Sequence, residues 1–338
     1  MNILGIESSC DETAAAVYGD DGLKSNIIAS QTIHERFGGV VPELASRAHQ
    51  ETIWLTVQQA LNEANMDMDD IDVIAVTHGP GLMGALLVGL SFAKGLSISY
   101  NKPLIGVNHI DAHVYANFID ETPEFPFLGL IVSGGHTQII YAEKPFKHKI
   151  LGQTRDDAAG EAFDKIGKIL QLPYPAGPHI DKLSQTGDIH FHKFPQALLE
   201  DGFEFSFSGL KTSALYYIND IPEEEQESFL KEHLNDISAS VSHAITEVLI
   251  KKLGKAIKKT HARTVILAGG VSANSMLRQK AQKMVKKHNV NLYYPKLVYC
   301  TDNAAMIAVT GYLKAQRQLF DDIRIKPFAS LSDVVKTR

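Results

Sequence analysis

Short apolar runs alternate along this chain with longer stretches in which apolar residues recur at helical spacing. Ile3-Leu4-Gly5-Ile6 and Ala14-Ala15-Ala16-Val17-Tyr18 flank the polar residues 7–13, which predicts a hairpin. Residues 71–76, 127–132 and 265–268 read as buried strands, the last ending in Gly269-Gly270. Between them, residues 43–65 carry helical spacing in Leu44, Ala48, Leu55 and Leu61, and residues 235–258 do the same with Ile237, Val241, Ile245, Leu249 and Leu253. A helix is also expected over residues 275–287. Strands alternating with helices predict an α/β architecture.

Two segments repeat one form. Gly5-Ile6-Glu7-Ser8-Ser9 follows an apolar strand, and Leu130-Ile131-Val132-Ser133-Gly134-Gly135-His136-Thr137 is again strand, small polar turn, strand. Such tips expose backbone N–H groups that can hold phosphate oxygens. One near the start of each half suggests duplicated lobes facing a cleft.

Composition fits this picture. The 338 residues are 44% hydrophobic and 21% charged, enough for two globular domains and unlike a disordered or fibrous chain. Lys+Arg 33 against Asp+Glu 39 gives a net charge of -6, which counts against nucleic-acid binding by the chain as a whole. Local clusters oppose the total: Lys251, Lys252, Lys255, Lys258, Lys259 and Arg263, then Arg278, Lys280, Lys283, Lys286 and Lys287. The apolar stretch 84–96 contains Ser91 and Lys94 and is too short to span a bilayer. No basic-then-apolar leader opens the sequence, and Cys10 and Cys300 read as free thiols. The expectation is a cytoplasmic protein without a membrane segment.

Several groups could carry chemistry. His109 and His113 stand at i and i+4, one face of a helix, where two imidazoles can share a metal ion. A zinc protease would need Glu directly after the first His, but Ile110 is there. Thr301-Asp302-Asn303 precedes an apolar helical run and reads first as an N-cap; Asp302 could alternatively join the histidines as a carboxylate ligand. Glycine turns recur at Gly79-Pro80-Gly81, Gly134-Gly135 and Gly269-Gly270, yet neither GxGxxG nor GxxxxGKS/T occurs. Residues 156–165 form an acidic, helix-prone stretch in which Asp164 could accept ligand hydroxyls.

Longer motifs tie these pieces together. Gly5-Ile6-Glu7-Ser8-Ser9-Cys10-Asp11-Glu12-Thr13, Gly38-Gly39-Val40-Val41-Pro42-Glu43-Leu44-Ala45-Ser46-Arg47 and Val132-Ser133-Gly134-Gly135-His136-Thr137 resemble the bacterial TsaD (Gcp-like) family of tRNA N6-adenosine threonylcarbamoyltransferases. So do Asp157-Ala158-Ala159-Gly160-Glu161-Ala162-Phe163-Asp164-Lys165, Phe205-Ser206-Phe207-Ser208-Gly209-Leu210-Lys211-Thr212 and Ala268-Gly269-Gly270-Val271-Ser272-Ala273-Asn274. The resemblance covers essentially the whole chain.

It implies the α/β fold of actin, heat-shock chaperone ATPases and sugar kinases (ASKHA), two duplicated lobes around a central cleft. The lobes are expected at 1–120 and 121–300, the second with a substrate-binding insertion, and a C-terminal helix and tail at 301–338 packing back near the cleft and the first lobe. The resemblance makes His109, His113 and Asp302 a metal site for one divalent ion, Fe2+ foremost, with Zn2+ or Mg2+ as alternatives. It maps substrate contacts onto Val132, Ser133, Gly134, Gly135, His136, Asp164, Gly177, Asp181 and Asn274; many relatives have Gly in place of Ala176. The implied ligand is threonylcarbamoyl-AMP or an ATP-like nucleotide, and the implied partners are tRNA, a TsaB-like paralogue and a TsaE-like P-loop ATPase. Placement alone offers Asp11 or Glu12 as the acid/base. The rival readings are a kinase or ATPase on the same fold, a metalloprotease, and a scaffold whose pocket is only structural.

Overall fold

A computed structural model describes residues 1–31, 34, 37, 39–199 and 202–330. The final stretch of the tail expected at 301–338, residues 331–338, lies outside the described residues. The chain divides into two units, Met1–Thr122 with Pro295–Arg338, and Pro123–Tyr294.

In the first unit, β1 (Ile3–Glu7), β2 (Glu12–Gly19), β3 (Gly22–Ser30), β4 (Val73–Gly79) and β5 (Leu104–Asn108) form one sheet in the order β3-β2-β1-β4-β5. The predicted hairpin is β1–β2, antiparallel, while β1 pairs with β4 in parallel. Helices α1 (Pro42–Glu63) and α2 (Met83–Tyr100) supply Ile53, Val57, Leu90 and Ala93 to a core that receives Leu4 and Ile6 from β1. The intervening Gly5 serves the other face, beneath α9 (Ala304–Ala315). A Cβ there would lie 2.6 Å from the Ala308 nitrogen, so only glycine lets α9 approach β1 so closely. Covering both faces explains why all five residues of β1 are buried. Beyond α9 the chain returns along the sheet: the Asp321 amide donates to the Leu104 carbonyl at 2.9 Å and that of Phe328 to His78 at 3.0 Å.

At 18 residues and mean hydropathy 1.3, α2 is the single helix among the described residues long and apolar enough to cross a membrane. It outruns the apolar stretch visible in the sequence, and Leu86, Leu90 and Ala93 are buried within the unit.

The second unit repeats the sheet. Strands β6 (Phe127–Val132), β7 (Thr137–Lys144), β8 (Lys147–Gln153), β9 (Thr264–Ala268) and β10 (Asn291–Tyr293) run β10-β9-β6-β7-β8. Read from the other edge, this is the order of the first unit. β6–β7 and β7–β8 are antiparallel, and β6–β9 and β9–β10 are parallel, matching β1–β2, β2–β3, β1–β4 and β4–β5. The duplication read from the two turns is thus carried by whole sheets. Between β8 and β9 lie α4 (Ala159–Ile169), α5 (Ala176–Ser184), α6 (Ser208–Asn219) and α7 (Glu223–Thr260), and α8 (Ser275–His288) joins β9 to β10. Helix α7 begins ahead of the apolar spacing that predicted it. Glu223, Glu224 and Glu225 favour its positive N-terminus, and its first turns are largely exposed.

Candidate functional site

The first unit gathers three of the expected residues at one point. Strand β5 runs directly into α3 (His109–Tyr115), whose start is capped by Asn108: its side-chain oxygen accepts the Ile110 and Asp111 amides at 2.9 and 3.2 Å. One turn of α3 places the His109 and His113 rings 4.7 Å apart between centroids. Opposite them comes the residue pair ahead of α9. Asn303 is the cap of that helix, accepting the Met306 amide at 3.0 Å. Asp302 therefore does no capping, against the first reading of Thr301-Asp302-Asn303. Its Oδ1 stands 3.4 Å from His109 Nε2 and 3.2 Å from His113 Nε2. One ligand atom from each of the three residues can be chosen so that all lie within 4.8 Å of one another.

A fourth residue, Glu7, is not one that the sequence singles out. It ends β1, is fully buried, and its Oε2 lies 3.2 Å from His109 Nδ1, on the opposite side of the ring from Asp302. No spacing rule links residue 7 to residue 109; the link is the parallel path from β1 across β4 to β5. The electrostatics suit a cation. Burial would lower the basicity of His109, but Asp302 and Glu7 outweigh it and hold the imidazole well above its usual range. Burial would likewise raise Asp302, yet His109 and His113 keep it well below the carboxylate range. Two imidazoles and a carboxylate, backed by a second carboxylate, form a donor set that fits a divalent transition metal.

Glu12, at the start of β2, is pushed up to about 9 by burial and then by Asp302 and Asp11. Burial also pushes the Cys10 thiol up, which makes it a poor nucleophile. Asp11 sits in the turn between β1 and β2.

The remaining expected residues belong to the second unit. Val132 closes β6, and the turn after it is tied by Ser133 N–H donating to the His136 carbonyl at 2.8 Å and His136 N–H to Ser133 Oγ at 3.1 Å. At Gly134 and Gly135 a Cβ would meet nothing within 4 Å, so the turn's backbone is open. Gly269, at φ +86, lets its loop pass against the Val132 carbonyl, and Gly160 at the start of α4 lies beneath Ser133. Asp164 already has work: its Oδ1 accepts the Ala176 amide at 2.8 Å, fixing the start of α5. Burial keeps this carboxyl above its usual range despite that bond. Gly177 is open where a side chain would project, whereas the buried Ala176 methyl points at Gly167 of α4. The Ala176 side chain thus lies on the core side. Asp181 Oδ1 accepts from Ser275 N and Oγ at 2.9 and 2.8 Å, and Asn274 caps α8 through the Leu277 amide at 2.9 Å.

The basic clusters divide. Lys252 is buried and donates to the Gly202 carbonyl at 3.2 Å, and Lys280 donates to Glu247 at 3.2 Å. Arg278 stacks on Tyr294 at 4.4 Å. Lys258, Arg263, Lys283, Lys286 and Lys287 are exposed.

Solved structures place this architecture. Full-length HypF in its phosphate- and nucleotide-bound form superposes with TM-score 0.62 at 13% identity, covering 95% of this chain and 47% of that one. The activator of the 2-hydroxyisocaproyl-CoA dehydratase from Clostridium difficile gives TM-score 0.52 at 12% identity, covering 96% and 100%. ROK hexokinase from Thermus thermophilus gives 0.50 at 14%, covering 94% and 100%. The fold is therefore of the actin and sugar-kinase class, as the resemblance implied.

Sequence similarity narrows the class. The model of the family described as "TsaD: tRNA N6-adenosine threonylcarbamoyltransferase" matches residues 22–309. The curated protein of that name from Chloroherpeton thalassium is 52% identical over 335 residues, covering 95% of this chain and 94% of its own. That from Christiangramia forsetii is 52% identical over 329 residues, covering 96% of each. The chain belongs to the tRNA N6-adenosine threonylcarbamoyltransferase family, and it is a tRNA-modifying transferase that delivers a threonylcarbamoyl group to N6 of adenosine.

Proposed function

We propose that the donor is threonylcarbamoyl-AMP, that the acceptor is the adenosine at position 37 of tRNAs reading codons that start with adenine, and that AMP leaves. The observation that carries the reading is the convergence of His109, His113 and Asp302 on one point, with Glu7 behind His109. These three residues would hold one divalent ion. Two imidazoles with a carboxylate favour Fe2+, with Zn2+ or Mg2+ as alternatives. When bound, the ion would supply Lewis acidity and a template for donor oxygens.

The chain's own residues do the rest. The open backbone at Gly134 and Gly135 binds phosphate oxygens, with Val132, Ser133 and His136 anchoring the turn. Asp164, Gly177, Asp181 and Asn274 form the ribose and donor side, where the carboxylates accept hydroxyls with the oxygens the backbone leaves free. Asp11, or Glu12 in its ionised form, receives the proton that the attacking N6 amine gives up.

The tRNA backbone lies on the exposed lysines of α7 and α8. A TsaB-like paralogue docks on unit 1, where Trp54 and Leu55 of α1 and Leu87 and Ile98 of α2 are exposed. A TsaE-like ATPase provides the P-loop this sequence lacks, and the assembly works in the cytoplasm. The test is reconstitution with threonine, bicarbonate, ATP and tRNA, adding partners one at a time. Labelled threonylcarbamoyl in tRNA, lost in His113→Ala with the assembly intact, is the expected result. Phosphorylation of a sugar without any tRNA product would favour the kinase reading.

A further inference from the structure

We infer that Glu7 is a positioning residue that fixes the tautomer of His109, so that the Nε2 lone pair faces Asp302 and His113. This rests on the reading of those three residues as metal ligands. Glu7 is 0% exposed, and its carboxylate oxygens meet three groups that can donate to them. Its Oε1 accepts the Ser9 amide at 2.5 Å, and its Oε2 accepts the Thr77 hydroxyl at 2.6 Å and meets His109 Nδ1 at 3.2 Å. A carboxylate only accepts, so the proton of a neutral imidazole is drawn to Nδ1 and Nε2 is left bare. Ser9 Oγ, 3.1 Å from the same nitrogen, can accept from that N–H as well. Glu7 lies on the Nδ1 side of the ring, so it is not a fourth ligand at the Nε2 side. Its three donors also leave it no open face toward a substrate.

The second imidazole lacks such a device. His113 Nδ1 is buried with no hydrogen-bond partner among the described residues. One ligand of the pair is held in register and the other is not, so removing the Glu7 charge should act through His109.

Glu7→Gln changes one atom. Its single oxygen must serve the Ser9 amide, which cannot reverse, and the NH2 group then faces Thr77 Oγ and His109 Nδ1. The ring answers by moving its proton to Nε2, where the metal should be. Titrating purified wild type and Glu7→Gln with Co2+, followed by the visible absorption of the ion, should show affinity about 10–100-fold weaker in the variant. In the Zn2+-loaded wild type with 15N-labelled histidine, the His109 ring should show a protonated Nδ1 and a metal-bound Nε2, assigned by its loss in His109→Ala. Equal affinities, or metal on Nδ1, would overturn the inference while leaving the metal site standing. Wild type that bound neither ion would overturn the site and the inference together. If Glu7→Gln fails to fold, the wild-type spectrum still decides.

Discussion

Asn303 and Asp302 are neighbours with opposite duties: the Asn303 side chain turns to the Met306 amide at 3.0 Å, and the Asp302 carboxylate turns away to meet His113 Nε2 at 3.2 Å. The division matters because either residue can cap a helix. With Asn303 replaced by alanine, Asp302 becomes the nearest acceptor for the first turn of α9. Asn303→Ala should therefore cost about 1 kcal/mol of stability and, in addition, weaken Co2+ binding. Asn303→Asp keeps a capping oxygen but turns a second oxygen onto the Thr301 carbonyl that the Asn303 amide serves at 2.7 Å, so it should restore metal binding only in part. Thermal unfolding and metal titration of both variants separate the effects. Unchanged metal affinity in Asn303→Ala would mean that Asp302 needs no help to stay at the site.

Gly5 sets how near α9 comes to β1, and through it where Asp302 stands. An added methyl would sit 2.6 Å from the Ala308 nitrogen and 2.7 Å from the Ala304 carbonyl oxygen, both backbone atoms that cannot swing aside. Gly5→Ala should destabilise the protein by about 1–3 kcal/mol, the usual range for overpacking. Because the displaced helix positions Asp302, the third of the proposed ligands, metal affinity should fall too, although residue 5 touches none of the three. Chemical denaturation gives the first quantity and a Co2+ titration the second.

Much of this is legible in the amino-acid sequence. Strands β1, β2, β4, β6 and β9 are continuous apolar runs because their residues are buried on both faces, and α7 announces itself by spacing. The spacing also finds α1, but Leu55 of that set is exposed and the buried face runs through Ile53, Val57 and Leu61. The i, i+4 pair His109 and His113 does fall on one helix face. What stays hidden is hidden for physical reasons. Strands β8 and β10 lie at a sheet edge and are short or largely exposed, so they carry no apolar signature. Glu7 reads as a turn residue because its partner is remote in sequence, reached only through the parallel strands. Capping propensity cannot tell Asp302 from Asn303, since the choice depends on what else is near. Asp164 and Asp181 read as ligand groups in sequence, and each proves also to hold a helix start, which one chain position cannot reveal.

Asp156 gathers the start of α6. It accepts the Phe207 amide at 2.8 Å and the hydroxyls of Ser206 and Ser208 at 2.5 and 2.8 Å. Burial would raise this carboxyl, but these bonds outweigh it and hold it below its usual value. A depressed folded-state pKa contributes stability that is present above the unfolded value, about 3.9, and is lost as pH falls through the folded one. Asp156→Asn should thus destabilise the protein at pH 7, with the gap to wild type closing as pH drops below about 4. Melting temperatures of both proteins across pH 3–7, roughly the titration window of a carboxylate, test it. A gap that stayed constant over that range would assign the loss to shape and not to charge.

The basic helices sort into lysines that build the protein and lysines free to meet a phosphate. Lys252 is buried and bonded to the Gly202 carbonyl, and Lys280 is shared between Glu247 and His243, so changing either disturbs the fold. Lys258 of α7 and Lys283, Lys286 and Lys287 of α8 are exposed. Replacing these four with glutamine should leave the melting temperature nearly unchanged. Affinity for tRNA should fall, and the dependence of log K on log salt should flatten by about 0.7–0.9 for each phosphate that is no longer neutralised. Metal affinity should not move, which separates this surface from the histidine site. If the salt slope stayed at its wild-type value, the tRNA would have to be carried by another face of the chain or by its partners, and the net charge of -6 would then describe the protein as a whole.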